Sequence, residues 1–155
     1  APALYRALLE KLEGWRVAAP VIAVNARVAL SDEIGHRLGA KAALILIGER
    51  PGLSAADSIG AYLTYAPKPG TPDSRRNCIS NIRSGGLSIE AATDAIATLV
   101  MDMMTTATSG VGLKDALERL PAIDAVQPMQ DSLSPAIDGA IDRIARTVRE
   151  LVAAL

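Results

Sequence analysis

Glu49 and Arg50 are the residues whose types and position most favour a binding site. They stand in the stretch "LILIGERPGLS" (44–54), where an apolar run meets a turn built from two glycines and a proline. Such a turn requires the glycines and the proline but neither charged side chain. In an open parallel sheet, ligands lie beyond the carboxyl ends of the strands. The sequence therefore predicts a binding site at this edge, with an ordinary surface ion pair as the alternative.

Four further residues are expected at the same edge of the predicted sheet. Arg27 and Val28 follow the preceding strand, and Cys78 and Asn81 follow a long polar loop. Catalysis by the Cys78 thiol would require a base, and nothing in the sequence connects it to His36, the only histidine. One cysteine and one histidine also provide no set of transition-metal ligands. We therefore assign no catalytic or metal-binding residue, and we expect His36 to be solvated.

Strands and helices are predicted to alternate along most of the chain. The run at 42–48 is apolar on both faces, which is typical of a parallel sheet covered by helices. The predicted fold class is α/β: a Rossmann-like layered domain with a mainly parallel sheet flanked by helices, plus a C-terminal amphipathic helix. Periodicity and capping residues predict helices at 3–13, from Ser31 to Gly39 and from Ser88 to Gly110, and strands at 19–25, 42–48, 61–67 and 78–82.

The character of the sequence changes at residue 116. Prolines interrupt the segment up to Pro135, and beyond it apolar residues recur at steps of four and three, which predicts an amphipathic helix. We expect residues 1–115 to form one domain and residues 116–155 to form a linker and a helix packed on it. The apolar residues of that helix are Ile137, Ile141, Ile144, Val148, Leu151 and Leu155.

Composition limits the classes of function. The chain has 155 residues, a net charge of −1 and a single cysteine. That charge provides no electrostatic surface for nucleic acid or an anionic membrane, and no apolar run approaches the length of a membrane span. One cysteine excludes an internal disulfide framework and fits a reducing compartment. We expect a soluble cytoplasmic protein.

Several blocks of sequence resemble one known family. They are "ARVALSDEIGHRLGAK", "LILIGERPGLSAADSIGAYLTYAPKPG", "RRNCISNIRSGGLSIEAA" and "SGVGLKD". In this order and spacing they are similar to the small (light) subunit of adenosylcobalamin-dependent ethanolamine ammonia-lyase. The resemblance covers residues 1–115, and it leaves 116–155 unmatched.

The resemblance implies a function, a cofactor and a partner. The family converts ethanolamine to acetaldehyde and ammonia by radical chemistry, and its large subunit holds the substrate and the catalytic residues. The small subunit closes over cobalamin bound between the two subunits, through residues that match Val28, Glu49 and Cys78 here. The family keeps the cofactor's own base on cobalt, so His36 need not be a ligand. The implied location is the cytoplasm, within a bacterial microcompartment whose shell is a second expected partner.

Two alternatives remain open at this point. Family members carry an N-terminal extension and a further strand, and they end near "SGVGLKD", so this chain is also interpretable as a truncated, fused or redesigned scaffold without activity. The other alternative is a stand-alone phosphate- or nucleotide-binding module that uses the helix start in "SGGLSIE" (84–90). The sequence lacks a glycine-rich dinucleotide fingerprint, which counts against that module.

Overall fold

The structure is a computed structural model that describes residues 1–49 and 57–120. These residues form a three-stranded sheet with helices on both of its faces. A 3₁₀ turn, Asp73–Arg75, leads into the last strand. In chain order the elements are α1 (Pro2–Lys11), α2 (Leu30–Arg37), β1 (Ala42–Gly48), β2 (Ile59–Tyr65), β3 (Arg76–Ile82), α3 (Ile89–Thr106) and α4 (Gly112–Glu118).

The sheet is antiparallel, so the predicted Rossmann-like parallel sheet is wrong. Strand order is β1-β2-β3, with Ala42 opposite Tyr65 in the first pair and Tyr62 opposite Cys78 in the second. A parallel pair needs a crossover of a dozen or more residues, and the segments joining these three strands are shorter than that. The run at 42–48 is apolar on both faces: Ala42 and Leu46 pack against the core, and α2 contacts the strand from the opposite face.

One face of the sheet packs against α3, which in turn contacts α1 and α4. Ala61 and Leu63 of β2 are buried on this face, and α3 contributes Ile96, which is fully buried. The other buried hydrophobic residues of this cluster include Leu4, Leu8, Ile82, Ala92, Met103 and Leu113. The core is therefore aliphatic and lies between the sheet and these three helices.

The opposite face carries α2. Ala43 and Arg76 both lie opposite Thr64 in the register, so all three side chains share this face. Asp32 of α2 forms an ion pair with Arg76, and a Cβ at Gly35 would lie 3.1 Å from the Ala43 side chain. The helix thus covers one end of this face, the end at which β1 and β3 begin.

The predictions for individual elements met different outcomes. The helix predicted from Ser88 is confirmed as α3, since the Ser88 hydroxyl accepts a hydrogen bond of 3.1 Å from Ala91 N. Ser31 does not cap α2, because it lies within the helix, whose N-cap is Ala29, and its hydroxyl donates to Val28 O at 2.8 Å. The strand predicted at 19–25 is wrong, and its Ile22 is 93% exposed. The predicted tail helix lies outside the described residues.

Candidate functional site

Glu49 and Cys78 lie on the same face of the sheet, at the end that α2 leaves uncovered. Tyr62 of β2 stands opposite Cys78, and on its other side it stands opposite Ile45 of β1. Alternation along β1 puts Ile45, Ile47 and Glu49 on one face. The ladder extends past the last strand residue, since Glu49 N donates to Ser58 O at 3.1 Å. The three strands thus bring a carboxylate, a phenol and a thiol together.

The Glu49 carboxylate is held in place from across the sheet. Its Oε1 accepts a hydrogen bond of 2.8 Å from the backbone N–H of Asn81, near the end of β3. β1 and β3 run in the same direction on either side of β2, so their carboxyl ends meet at one edge. A carboxylate has about four acceptor positions, and the Asn81 bond uses one of them. The remaining acceptor positions suit a donor on a ligand.

The Asn81 N–H is directed by a tight turn, residues 81–87. Asn81 adopts a left-handed conformation with φ 60°, and its carbonyl accepts from Leu87 N at 2.8 Å. Its side-chain oxygen accepts from Arg83 Nε, also at 2.8 Å. A Cβ at Gly86 would lie 2.8 Å from that oxygen, so the turn requires glycine at this position. The turn therefore fixes the donor that orients Glu49.

Cys78 is exposed, yet its neighbours affect its thiol. They withdraw the sulfur partly from water, and this desolvation is the main cause that raises the pKa of Cys78 above its ordinary value of 9.0. A hydrogen bond with the Tyr62 side chain lowers that pKa, and the charge of Glu49 raises it. A thiol with a raised pKa is protonated at neutral pH and is a weak nucleophile. The arrangement suits contact with a ligand better than covalent catalysis.

Val28 belongs to a different element, the turn that leads into α2. It is half-buried, and its carbonyl accepts the hydrogen bond from the Ser31 hydroxyl. The ion pair between Asp32 and Arg76 anchors this start of α2 to β3, two residues before Cys78. The turn that contains Val28 therefore leads into the helix that contacts the face carrying Cys78, and the hydrogen bonds that Val28 O accepts come from Ser31.

Other predicted residues lie apart from this group. Arg27 and His36 are exposed, and Arg50 lies outside the described residues. The Ser88 hydroxyl already occupies one of the N–H donors at the start of α3. Within residues 1–49 and 57–120, no cluster of three or more His, Cys, Asp or Glu side chains could hold a metal ion. No helix in this part of the chain has the length and apolar character needed to span a membrane.

Comparison with known proteins decides the family. The model of the ethanolamine ammonia-lyase light-chain family matches residues 1–114. The chain belongs to this family. Its members are subunits of a lyase, and the resemblance of the four sequence blocks to that family is thereby confirmed. The tail lies beyond the matched residues.

Three relatives give the extent of the similarity. The ethanolamine ammonia-lyase small subunit of Rhodopseudomonas palustris is 51% identical over 117 residues, which are 74% of this chain and 45% of the relative. That of Ralstonia nicotianae is 47% identical over 115 residues, 74% of this chain and 42% of the relative. That of Bradyrhizobium diazoefficiens is 54% identical over 102 residues, which are 65% of this chain and 39% of the relative. The chain thus spans less than half the length of these relatives.

Two residues of this group, Tyr62 and Ser58, escape prediction from the sequence. The available signal is alternation: Ser58, just before β2, and Gly60 and Tyr62 within it occupy every second position and therefore share a face. Identifying that face as the one with Glu49 and Cys78 requires the antiparallel register. In a parallel sheet these strands would have different neighbours, so the predicted fold does not place Ser58 or Tyr62 beside Glu49 and Cys78.

Proposed function

We propose that this chain is the part of an ethanolamine ammonia-lyase small subunit that contacts adenosylcobalamin, at the interface with the large subunit. The observation that carries the proposal is the convergence of Glu49 and Cys78. The resemblance of the sequence blocks to the family implies, in addition, that both residues contact the cofactor. They come from different edge strands and share one uncovered face, with Val28 in the turn beside it.

The residues of this face fit the chemistry of the proposed cofactor. The corrin ring carries amide side chains, and the carboxylate of Glu49 is a strong acceptor for their N–H groups. Ile45 and Ile47 are half-buried on the same face and offer apolar contact to the ring. Cys78 adds a small polarizable side chain, and its raised pKa keeps it neutral at pH 7.

The chemistry of these side chains indicates which roles belong to this chain, to the cofactor and to the large subunit. When bound, adenosylcobalamin supplies the radical chemistry that converts ethanolamine to acetaldehyde and ammonia. Glu49 binds and orients one edge of the cofactor, and the apolar side chains exclude water from it. The large subunit supplies the substrate site and the catalytic residues, so this chain is a non-catalytic subunit. By family membership, the proposed location is a cytoplasmic microcompartment with a protein shell.

The test compares cofactor retention in complexes of this chain with the large subunit. Glu49→Ala should weaken adenosylcobalamin binding by about 1.5–3 kcal/mol, because a charge-assisted hydrogen bond is lost. The unfolding midpoint should stay unchanged, since the hydrogen bond that Glu49 accepts from Asn81 N is an exposed one. The dissociation constant is measured by equilibrium dialysis, and the midpoint by urea denaturation.

The matched control is Glu33→Ala. Glu33 is an exposed carboxylate in the first turn of α2 and is not part of the site. Its removal should leave cofactor binding as in the parent. Equal retention by Glu49→Ala and the parent would remove Glu49 from the site.

A further inference from the structure

Ser58 has a buried hydroxyl with no hydrogen-bond partner among the described residues. The residue is 2% exposed, and its Oγ forms no hydrogen bond with any residue in 1–49 or 57–120. Buried polar groups are almost always paired, because losing water without gaining a partner destabilises the fold. The unpaired hydroxyl of Ser58 therefore requires a structural or functional explanation.

Buried serines elsewhere in the fold are paired. Ser109 is 1% exposed, and its Oγ accepts from Tyr65 N at 2.9 Å and donates to Arg75 O at 2.6 Å. Ser31 is 7% exposed and donates to Val28 O at 2.8 Å. Asp32 Oδ1 is a second buried side-chain oxygen without a partner among the described residues, but that carboxylate is paired with Arg76 through Oδ2. Ser58 differs because its side chain has no pairing with any described residue.

The position of Ser58 is beside Glu49. Glu49 N donates to Ser58 O, one step beyond the pair Gly48–Ile59, so Ser58 and Glu49 are directly opposite each other. Side chains of directly opposite residues share a face, with Cβ atoms about 5 Å apart. Gly60, the next residue on this face, has no side chain, and a Cβ there would lie 3.0 Å from the Tyr62 ring.

We propose that Ser58 is a further cofactor-binding residue, whose hydroxyl pairs with an amide side chain of the corrin next to the one bound by Glu49. The inference rests on the proposed function. An amide carries both a donor and an acceptor, and a hydroxyl can serve either. The Ser58 hydroxyl is closed to water in the chain alone, so the residues that cover it have to move aside when the amide binds. The ligand thus supplies the partner that the described residues lack.

The experiment compares Ser58→Ala with Ser109→Ala, two removals of one buried hydroxyl. In the chain alone, Ser58→Ala should unfold at the same urea concentration as the parent or a higher one, because an unpaired group is removed. Ser109→Ala should unfold at a lower concentration, because Tyr65 N and Arg75 O lose their partner. In the complex with the large subunit, Ser58→Ala should raise the dissociation constant of adenosylcobalamin roughly five- to tenfold.

The outcomes separate this inference from the proposed function. Failure of the parent complex to bind adenosylcobalamin overturns the proposed function itself. Tight binding by the parent and equally tight binding by Ser58→Ala overturns the role of Ser58 alone. A loss of stability in Ser58→Ala that matches the loss in Ser109→Ala also overturns it, because the hydroxyl then has a structural role.

Discussion

The charge of Glu49 raises the pKa of the Cys78 thiol although β2 separates their strands. In an antiparallel sheet of three strands the two outer strands run in the same direction, so side chains near their carboxyl ends share an edge. This explains why an expectation built on a parallel sheet still puts Glu49 and Asn81 at one edge. The bond from Asn81 N to Glu49 is beyond sequence reasoning, since it depends on the left-handed conformation of Asn81.

The pKa of Cys78 provides a direct test of this geometry. Removing the charge with Glu49→Gln should lower the pKa of Cys78, because a negative neighbour disfavours the thiolate. It should remain above 9.0, since desolvation is the larger cause. Tyr62→Phe should shift the pKa in the opposite direction, because its hydrogen bond lowers it. The measurement is the rate of alkylation by iodoacetamide against pH, which is clean because the chain has a single cysteine.

The same shift has a consequence for stability. The folded state holds the thiol proton more tightly than the unfolded chain does, so this contribution is fully present below pH 9.0 and disappears as pH rises through the raised pKa. Cys78→Ser should therefore reduce the loss of stability above pH 9.0, as measured by urea denaturation across that range. Identical alkylation profiles for the parent, Glu49→Gln and Tyr62→Phe would contradict the contacts among these three side chains.

At the scale of elements, one buried ion pair attaches α2 to the sheet. The side chains of Asp32 and Arg76 are 1% and 5% exposed, and Arg76 Nε donates to Asp32 Oδ2 at 3.1 Å. Arg76 also donates to Thr71 O at 2.7 Å and pairs with Asp73. The pair positions the turn that contains Val28, so it links the stability of the fold to the site.

Breaking this ion pair should destabilise the fold strongly. Asp32→Ala should lower the free energy of unfolding by about 3–5 kcal/mol, because it leaves the guanidinium of Arg76 buried without its main counter-charge. The matched control is Asp94→Ala at the ion pair with Lys11, whose side chains are 59% and 53% exposed. Its loss of stability should be much smaller, because water screens an exposed pair. Urea denaturation measures both, and similar losses in the two variants would show that the buried pair does not hold α2 in place.

Elements are predictable where a local pattern determines them. The apolar run of β1, and Ser88 at the start of α3, both identify elements that the structure contains. The direction of a strand relative to its neighbours cannot be predicted from its own residues. A strand that is apolar on both faces has the same sequence pattern in a parallel and in an antiparallel sheet. The prediction for 19–25 fails for a related reason. β-branched residues favour a strand only where a neighbouring strand pairs with them, and no strand of the described sheet does so.

At the scale of the whole molecule, the chain is a family member that spans less than half of its relatives. Its described residues bring a carboxylate, a thiol and apolar side chains to one face and assemble no metal cluster. A surface that binds one side of a large cofactor needs a second protein to cover the other side. We therefore expect cofactor binding to belong to the complex of the two subunits.

The most direct test is equilibrium dialysis of adenosylcobalamin against three samples: this chain, the large subunit, and an equimolar mixture. We predict that the mixture binds the cofactor at least tenfold more tightly than either protein alone, roughly 1.4 kcal/mol or more. Glu49→Ala should remove much of this gain while Glu33→Ala should not. Equal binding by the chain alone and by the mixture, or a mixture no better than the large subunit alone, would contradict a shared cofactor site.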